Sequence, residues 1–174
     1  VIPALAALAG NIGDRQVRNR GTLGGSIANN DPAACYPAAV LGLGATIHTN
    51  TRTIAADDFF KGMFETALKD GEVITAVSFP VPEKSGWQKF KQPASRFSIV
   101  GVFVSKGPQG VRVAVTGAGS CVFRAKSLEA KLSASWAARA SRPSCAANTV
   151  LLISLTFWPD PSAPTCSTGS PCFM

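Results

Sequence analysis

Residues 97–119 read FSIVGVFVSKGPQGVRVAVTGAG, two runs rich in Val, Ile and Phe joined by the turn Gly107-Pro108-Gln109-Gly110. β-Branched and aromatic residues fit a pleated, half-buried surface, so FSIVGVFVSK (97–106) and VRVAVTGAG (111–119) are predicted strands. WQKFKQ (87–92) precedes them as a third strand, and EVITAVSFP (72–80), after the turn Lys69-Asp70-Gly71, as a fourth. Consecutive strands of this kind with helices beside them predict an α+β fold.

Towards the N-terminus, PALAALA (3–9) predicts a short apolar helix with Pro3 in its first turn and Gly10 at its exit. The chain opens inside this element without an initiator Met, and we expect a longer natural protein. From Asn11 to Asp31 the composition shifts to Gly, Asn, Arg and Thr, which predicts a loop. Asp31-Pro32 then reads as the cap of a helix through PAACYPAAVLGLG (32–44), kinked at Pro37 and ended by Gly42 and Gly44. ATIHT (45–49) and TRTI (51–54) predict a hairpin turning near Asn50, and Asp57-Asp58 starts a short helix. Residues 124–140 predict a further helix. From Ser141 the periodicity is lost: residues 141–174 hold five of the twelve prolines and three of the five cysteines, and a non-native or divergent tail is expected.

Hydrophobic residues make up 46% of the chain and charged ones 16%, a balance that excludes disorder over most of its length. The net charge of +7 suggests a polyanion partner, but the basic residues are dispersed. Residues 1–120 carry twelve Lys/Arg against eight Asp/Glu, a net of +4, and the dense basic stretch is Arg15, Arg18 and Arg20. Binding to nucleic acid is therefore not expected, whereas three arginines in a Gly-rich segment suit a phosphate-bearing cofactor. No apolar run reaches the roughly 18 residues of a transmembrane helix, and no signal-peptide pattern opens the chain, so a cytoplasmic location is expected. The five cysteines show no CxxC spacing, and His48, the one histidine, has no Cys or acid at ligand spacing. Neither a disulfide framework nor a zinc site nor a Ser/His/Asp triad is expected.

The motif with chemical content is Arg18-Asn19-Arg20-Gly21-Thr22-Leu23-Gly24-Gly25-Ser26-Ile27-Ala28-Asn29. Adjacent glycines let backbone N–H groups approach an anion, and the Thr22 and Ser26 hydroxyls can bond phosphate or ribityl oxygens. Two stretches imitate a dinucleotide fingerprint. In VAVTGAGSCVF, Val122 stands where the third glycine belongs, and GLGATI (42–47) runs into β-branched residues; both read as plain turns.

The run IGDRQVRNRGTLGGSIANNDPAACYPAAVLGLGATI, with RTIAADDFF, GEVITAVSFP, FKQPASRFSIVGV and VAVTGAGS after it, resembles the FAD-binding medium subunit of carbon monoxide dehydrogenase-like molybdenum hydroxylases. The same module occurs within xanthine dehydrogenase. The resemblance spans about residues 1–135, and its most specific part is TLGGS followed by DPAxxYPAA.

This resemblance implies that residues 1–81 are the second of two FAD-binding subdomains, following a first whose Gly-rich loop holds the pyrophosphate. Residues 82–140 would begin the flavoprotein C-terminal domain, an antiparallel sheet with helices. It further implies cofactor contacts from Ile12, Thr22, Leu23, Gly24, Gly25 and Ser26, from Ile74 in the GEVITAV strand, and from Lys91 in FKQ beside the flavin ring. Cys35 stands where an acid that bonds the flavin is expected, and a thiol is a weaker partner. No residue acts as a covalent catalyst. The partners implied are a large subunit with the molybdenum cofactor and a small subunit with iron-sulphur clusters, electrons passing through FAD to NAD or a quinone. The alternative is a non-catalytic interaction module that has lost FAD.

Overall fold

The computed structural model describes residues 2–13 and 15–139. Helix α1 (Pro3–Gly10) starts on its proline, whose missing N–H costs nothing in a first turn, and it buries Ala4 and Leu8. The segment expected as a loop from Asn11 to Asp31 instead holds two short helices, α2 (Arg15–Arg20) and α3 (Leu23–Asn29). Gly and Asn are poor helix formers, so an end effect and packing must hold α3. Thr22 is extended (φ −117°, ψ 153°), and its hydroxyl accepts from the Gly25 N–H at 3.0 Å. Such a cap contributes about 1 kcal/mol. At the other end Asn30 takes a left-handed φ of 46°, and fully buried Ile27 anchors the helix between.

The next helix, α4 (Tyr36–Leu43), begins later than expected. Asp31 does not cap it: its carboxylate accepts from the Ala33 N–H at 2.8 Å, closing a separate turn. Pro37 consequently falls in the first turn of α4, where proline is tolerated, and no kink is needed. Gly42 lies inside α4 rather than ending it, because a Cβ there would meet the Phe103 ring at 2.8 Å. Gly44, at φ 66°, makes the left-handed exit.

Strand β1 (Thr46–Thr49) lies between β2 (Thr53–Ala55) and β5 (Ile74–Ser78), antiparallel to both, with Thr46 opposite Ala55 on one side and Ser78 on the other. The Asp57-Asp58 pair falls in the short helix α5 (Ala56–Phe59). A small hairpin, β3 (Phe60–Gly62) with β4 (Glu65–Thr66), was not expected. Two-residue strands carry no readable period, and this one is held by Asn30, which is fully buried and donates to the Gly62 and Glu65 carbonyls at 2.7 and 2.8 Å. The second sheet is the meander β6 (Lys84–Lys91), β7 (Ser98–Gly107), β8 (Gly110–Thr116) and β9 (Phe123–Arg124), in that spatial order. Helix α6 (Lys126–Arg139) follows it. Residues 140–174 and their expected tail lie outside the described residues.

The second sheet is covered on both faces because its side chains alternate. Phe103 and Ala114 join Leu8, Ile27, Val40, Ile47 and Phe59 in one core around α4. Val102, Val104, Val113 and Val115 face the opposite way, towards Ala125, Leu128 and Leu132. A polar clamp adds to the first contact. Buried Arg112 donates to the Leu41 carbonyl at 2.9 Å and to Asp57 at 2.8 Å, while Arg124 reaches Asp57 at 3.3 Å and Glu129 at 2.7 Å.

These ion pairs make stability depend on acid. Burial pushes the Asp57 carboxyl up, but the hydrogen bond and charge of Arg112, together with Arg124, outweigh it and leave the group below its ordinary value. Bonds from Arg52, Thr51 and the Lys69 N–H hold the Glu72 carboxyl well below the usual range. A depressed carboxylate contributes stability that is complete above its unfolded pKa and is lost as pH falls through the folded one. Melting temperature is therefore expected to be flat down to about pH 5 and to fall below about pH 4. Asp57→Asn should flatten part of that fall, and a melting temperature rising on acidification would contradict the clamp.

Candidate cofactor cleft

A cleft of about 480 Å³ opens between α1, α2, the start of α3, the segment 31–36 and strand β6. That volume lies within the roughly 300–1,000 Å³ of small-molecule sites. Ile12, Val17, Ala34 and Phe97 make its apolar lining, Thr22 and Ser26 contribute hydroxyls, and its charged groups are Arg18, Lys89 and Asp31.

Lys89 reaches the cleft because of its strand position. It lies opposite Gly101, which has no side chain, and an added Cβ at Gly101 would meet the neighbouring Trp87 ring at 2.4 Å. The Lys89 ammonium donates to the Asn11 carbonyl at 3.2 Å and lies 3.3 Å from Cys35 Sγ. Neither partner is a carboxylate, and no ion pair among the described residues includes Lys89. Arg18 folds the cleft edge by donating to the Ile12 and Gly13 carbonyls at 2.9 and 3.3 Å. Asp31, the one lining carboxylate among the described residues, is engaged by the Ala33 N–H. Among the described residues the cleft thus carries two cations against one acid.

Cys35 is buried, with Sγ 3.4 Å from the Ser98 hydroxyl. Burial pushes the neighbouring Tyr36 phenol above its ordinary value, Cys35 adding to the effect, so the phenol is protonated at neutral pH.

Of the residues implied by the resemblance, Ile12, Thr22, Ser26 and Cys35 line this cleft. Leu23, Gly24, Gly25, Ile74 and Lys91 are not among its lining residues. Leu23 packs on the core, and a Cβ at Gly24 would lie 3.9 Å from Ile74, so these two expected contacts meet each other beside the first turn of α3. Lys91 is exposed and donates to Asn11 Oδ1 at 3.0 Å, whereas Lys89 bonds that residue's main-chain carbonyl. Lys89 is the cation that sequence reasoning missed. The signal was present in the pattern Lys89-Phe90-Lys91, since residues two apart in a strand share a face.

Gly25 has a structural reason to be glycine besides access to an anion. Its added Cβ would lie 2.8 Å from the Thr22 hydroxyl that caps the helix. Gly25→Val is expected to displace the cap and cost about 1–2 kcal/mol, against about 1 kcal/mol for Thr22→Ala. Thermal melts of both variants check this, and a Gly25→Val protein as stable as the parent would show that the cap is not formed.

The sequence family described as the FAD binding domain in molybdopterin dehydrogenase matches residues 1–82. Residues 1–82 carry the domain of this FAD-binding family. Curated relatives extend the likeness into the second sheet. The glyceraldehyde dehydrogenase medium chain of Sulfolobus acidocaldarius is 34% identical over 139 residues, covering 74% of this chain and 50% of the relative. The nicotine 6-hydroxylase medium subunit of Paenarthrobacter nicotinovorans is 35% identical over 144 residues, 77% of this chain and 51% of the relative. Among solved structures, carbon monoxide dehydrogenase from Hydrogenophaga pseudoflava aligns at a TM-score of 0.65 with 33% identity, over 74% of this chain and 49% of that one. Quinoline 2-oxidoreductase from Pseudomonas putida 86 aligns at 0.64 with 29% identity, over 71% and 47%. The α+β fold expected from the strand pattern is that of these FAD-family neighbours. The chain spans about half the length of the curated relatives it matches. No helix among the described residues is long and apolar enough to cross a membrane.

Proposed function

We propose that this chain supplies one side of an FAD site in the medium subunit of a molybdenum hydroxylase. The observation that carries the reading is the Lys89 ammonium, bonded to no carboxylate, at a cleft with apolar lining in a chain whose first 82 residues match an FAD-binding family. The donor set fits a flavin dinucleotide. Two cations suit its anionic pyrophosphate and the negative charge that its ring gains on reduction, and the Thr22 and Ser26 hydroxyls suit its oxygens.

FAD, when bound, supplies one- and two-electron transfer chemistry, and the chain's residues bind and polarise it. Lys89 offsets negative charge on the bound group. Ile12, Val17 and Phe97 would give the bound group an apolar wall on that side. In the parent complex, substrate would be oxidised at a molybdenum cofactor on a large subunit, iron-sulphur clusters on a small subunit would deliver electrons, and NAD or a quinone would receive them. The medium-chain relatives support that assignment.

Titration of FAD into the chain, followed by flavin fluorescence, tests the reading. Because the chain spans about half its relatives' length, we expect a dissociation constant weaker than about 10 μM, or roughly 7 kcal/mol of binding. Lys89→Met should weaken it a further ~10-fold, the loss of one charge-assisted bond. A folded chain that leaves FAD fluorescence unchanged up to about 1 mM would instead be an interaction module without the cofactor.

A further inference from the structure

The cleft wall 33–36 is held from outside the family match, and we infer that Thr116 is a positioning residue for the cofactor cleft. This inference rests on the reading of the cleft as an FAD site. Ala33, Ala34, Cys35 and Tyr36 all line the cleft, yet Ala33 and Ala34 precede α4 and Cys35 and Tyr36 only begin it. The local bonds are few: Ala33 N–H to the Asp31 carboxylate at 2.8 Å, Ala34 N–H to the Asp31 carbonyl at 2.9 Å and Ala38 N–H to the Cys35 carbonyl at 3.1 Å. The remaining ties come from the second sheet. Thr116, fully buried at the end of β8, donates its hydroxyl proton between the Pro32 and Ala34 carbonyls, each 2.8 Å away. The Gly117 N–H donates to the same Pro32 carbonyl at 2.8 Å, and Ser98 stands 3.4 Å from Cys35 Sγ.

Thr116 is not itself among the cleft residues. Its hydroxyl spans two carbonyls that are separated by one residue, so it sets the path of the chain between them and thereby where Ala33, Ala34 and Cys35 present themselves. Without that hydroxyl the part-buried Ala34 carbonyl loses this donor and the Pro32 carbonyl is left with the Gly117 N–H, and the segment gains freedom to move away from the sheet. The rest of the fold keeps its cores, because Thr116→Val preserves the shape of the side chain.

The test compares Thr116→Val with Thr116→Ser, which keeps the hydroxyl, in the full chain. Two readouts are used: FAD affinity by fluorescence titration, and the rate at which iodoacetamide alkylates Cys35, resolved by peptide mass spectrometry. Thr116→Val should weaken FAD about 10-fold and alkylate Cys35 about 10-fold faster, with Thr116→Ser within about 2-fold of the parent on both. Parental FAD affinity and parental Cys35 protection in Thr116→Val would overturn the inference. Absence of FAD binding in the parent chain would instead sink the FAD reading. The alkylation rates would then still decide the role of Thr116: faster modification of the Val variant alone supports it, and equal rates overturn it. If circular dichroism shows Thr116→Val unfolded, the pair Thr116→Ser and Thr116→Ala isolates the hydroxyl, and equal behaviour of those two likewise overturns the inference.

Discussion

Gly117→Val is expected to remove a large part of the stability of the chain. Gly117 has a φ of +86°, and a Cβ added to it would lie 2.3 Å from the Ile99 carbonyl oxygen and 2.9 Å from its carbon. The obstacle is backbone within a paired strand, so a side-chain rotation cannot relieve it. Left-handed strain in a β-branched residue costs about 1–3 kcal/mol. Forcing extra volume against packed backbone costs about as much again, roughly 1–3 kcal/mol. Together they approach about 4 kcal/mol, against a total of roughly 5–15 kcal/mol for a domain. A fall in melting temperature of about 15 °C follows at this chain length. Gly110→Val is the control: its φ is +96°, but nothing lies within 4 Å of the added Cβ, so only the strain should appear. Equal losses in the two variants would show that the approach to Ile99 is not the cause.

Arg112→Met should cost about 2–3 kcal/mol, measured by urea unfolding. Met fills much of the volume of the arginine stem but makes none of its bonds. The arginine side chain is 10% exposed and donates to Leu41 through both Nε and Nη2, at 3.1 and 2.9 Å, and to both Asp57 oxygens. Breaking a fully buried ion pair costs about 3–5 kcal/mol. Here the loss is smaller, because Asp57 is 43% exposed and retains Arg124 at 3.3 Å. The Leu41 carbonyl also keeps the Gly44 N–H, at 3.2 Å. In a double-mutant cycle with Asp57→Asn, a coupling of about 1–2 kcal/mol is expected. A coupling near zero would mean that Arg112 acts through Leu41 alone.

Elements long enough to show a period were legible. The three long strands of the second sheet, the β1–β2 hairpin, α1 and α6 fall close to where alternation, turn residues and helix-forming composition place them. The elements that were not legible are short. Helix α3 has two glycines and an asparagine among its seven residues; it exists because Thr22 caps it and Ile27 is buried, and only the second of these requires the rest of the fold. The late start of α4 follows from the Asp31 carboxylate turning to Ala33, a local choice between two N–H groups that composition does not separate.

For the cleft, the TLGGS motif and the family resemblance pointed to four of its lining residues, Ile12, Thr22, Ser26 and Cys35. Lys89 and Phe97 were not found, because they lie more than 50 residues beyond the motif and enter only when β6 and β7 are laid beside α1 and the segment 31–36.

By itself the sequence determined the α+β class, the positions of the long strands and the residues that could serve a phosphate-bearing cofactor, because these depend on side-chain period and backbone freedom within a few residues. The tertiary structure alone decided which of Lys89 and Lys91 enters the cleft, that Arg112 ties α4 to α5, and that Thr116 holds the wall 32–34. Each of these joins groups distant in sequence through bonds of about 3 Å, and such distances are set by how two sheets pack on one helix, not by any local pattern.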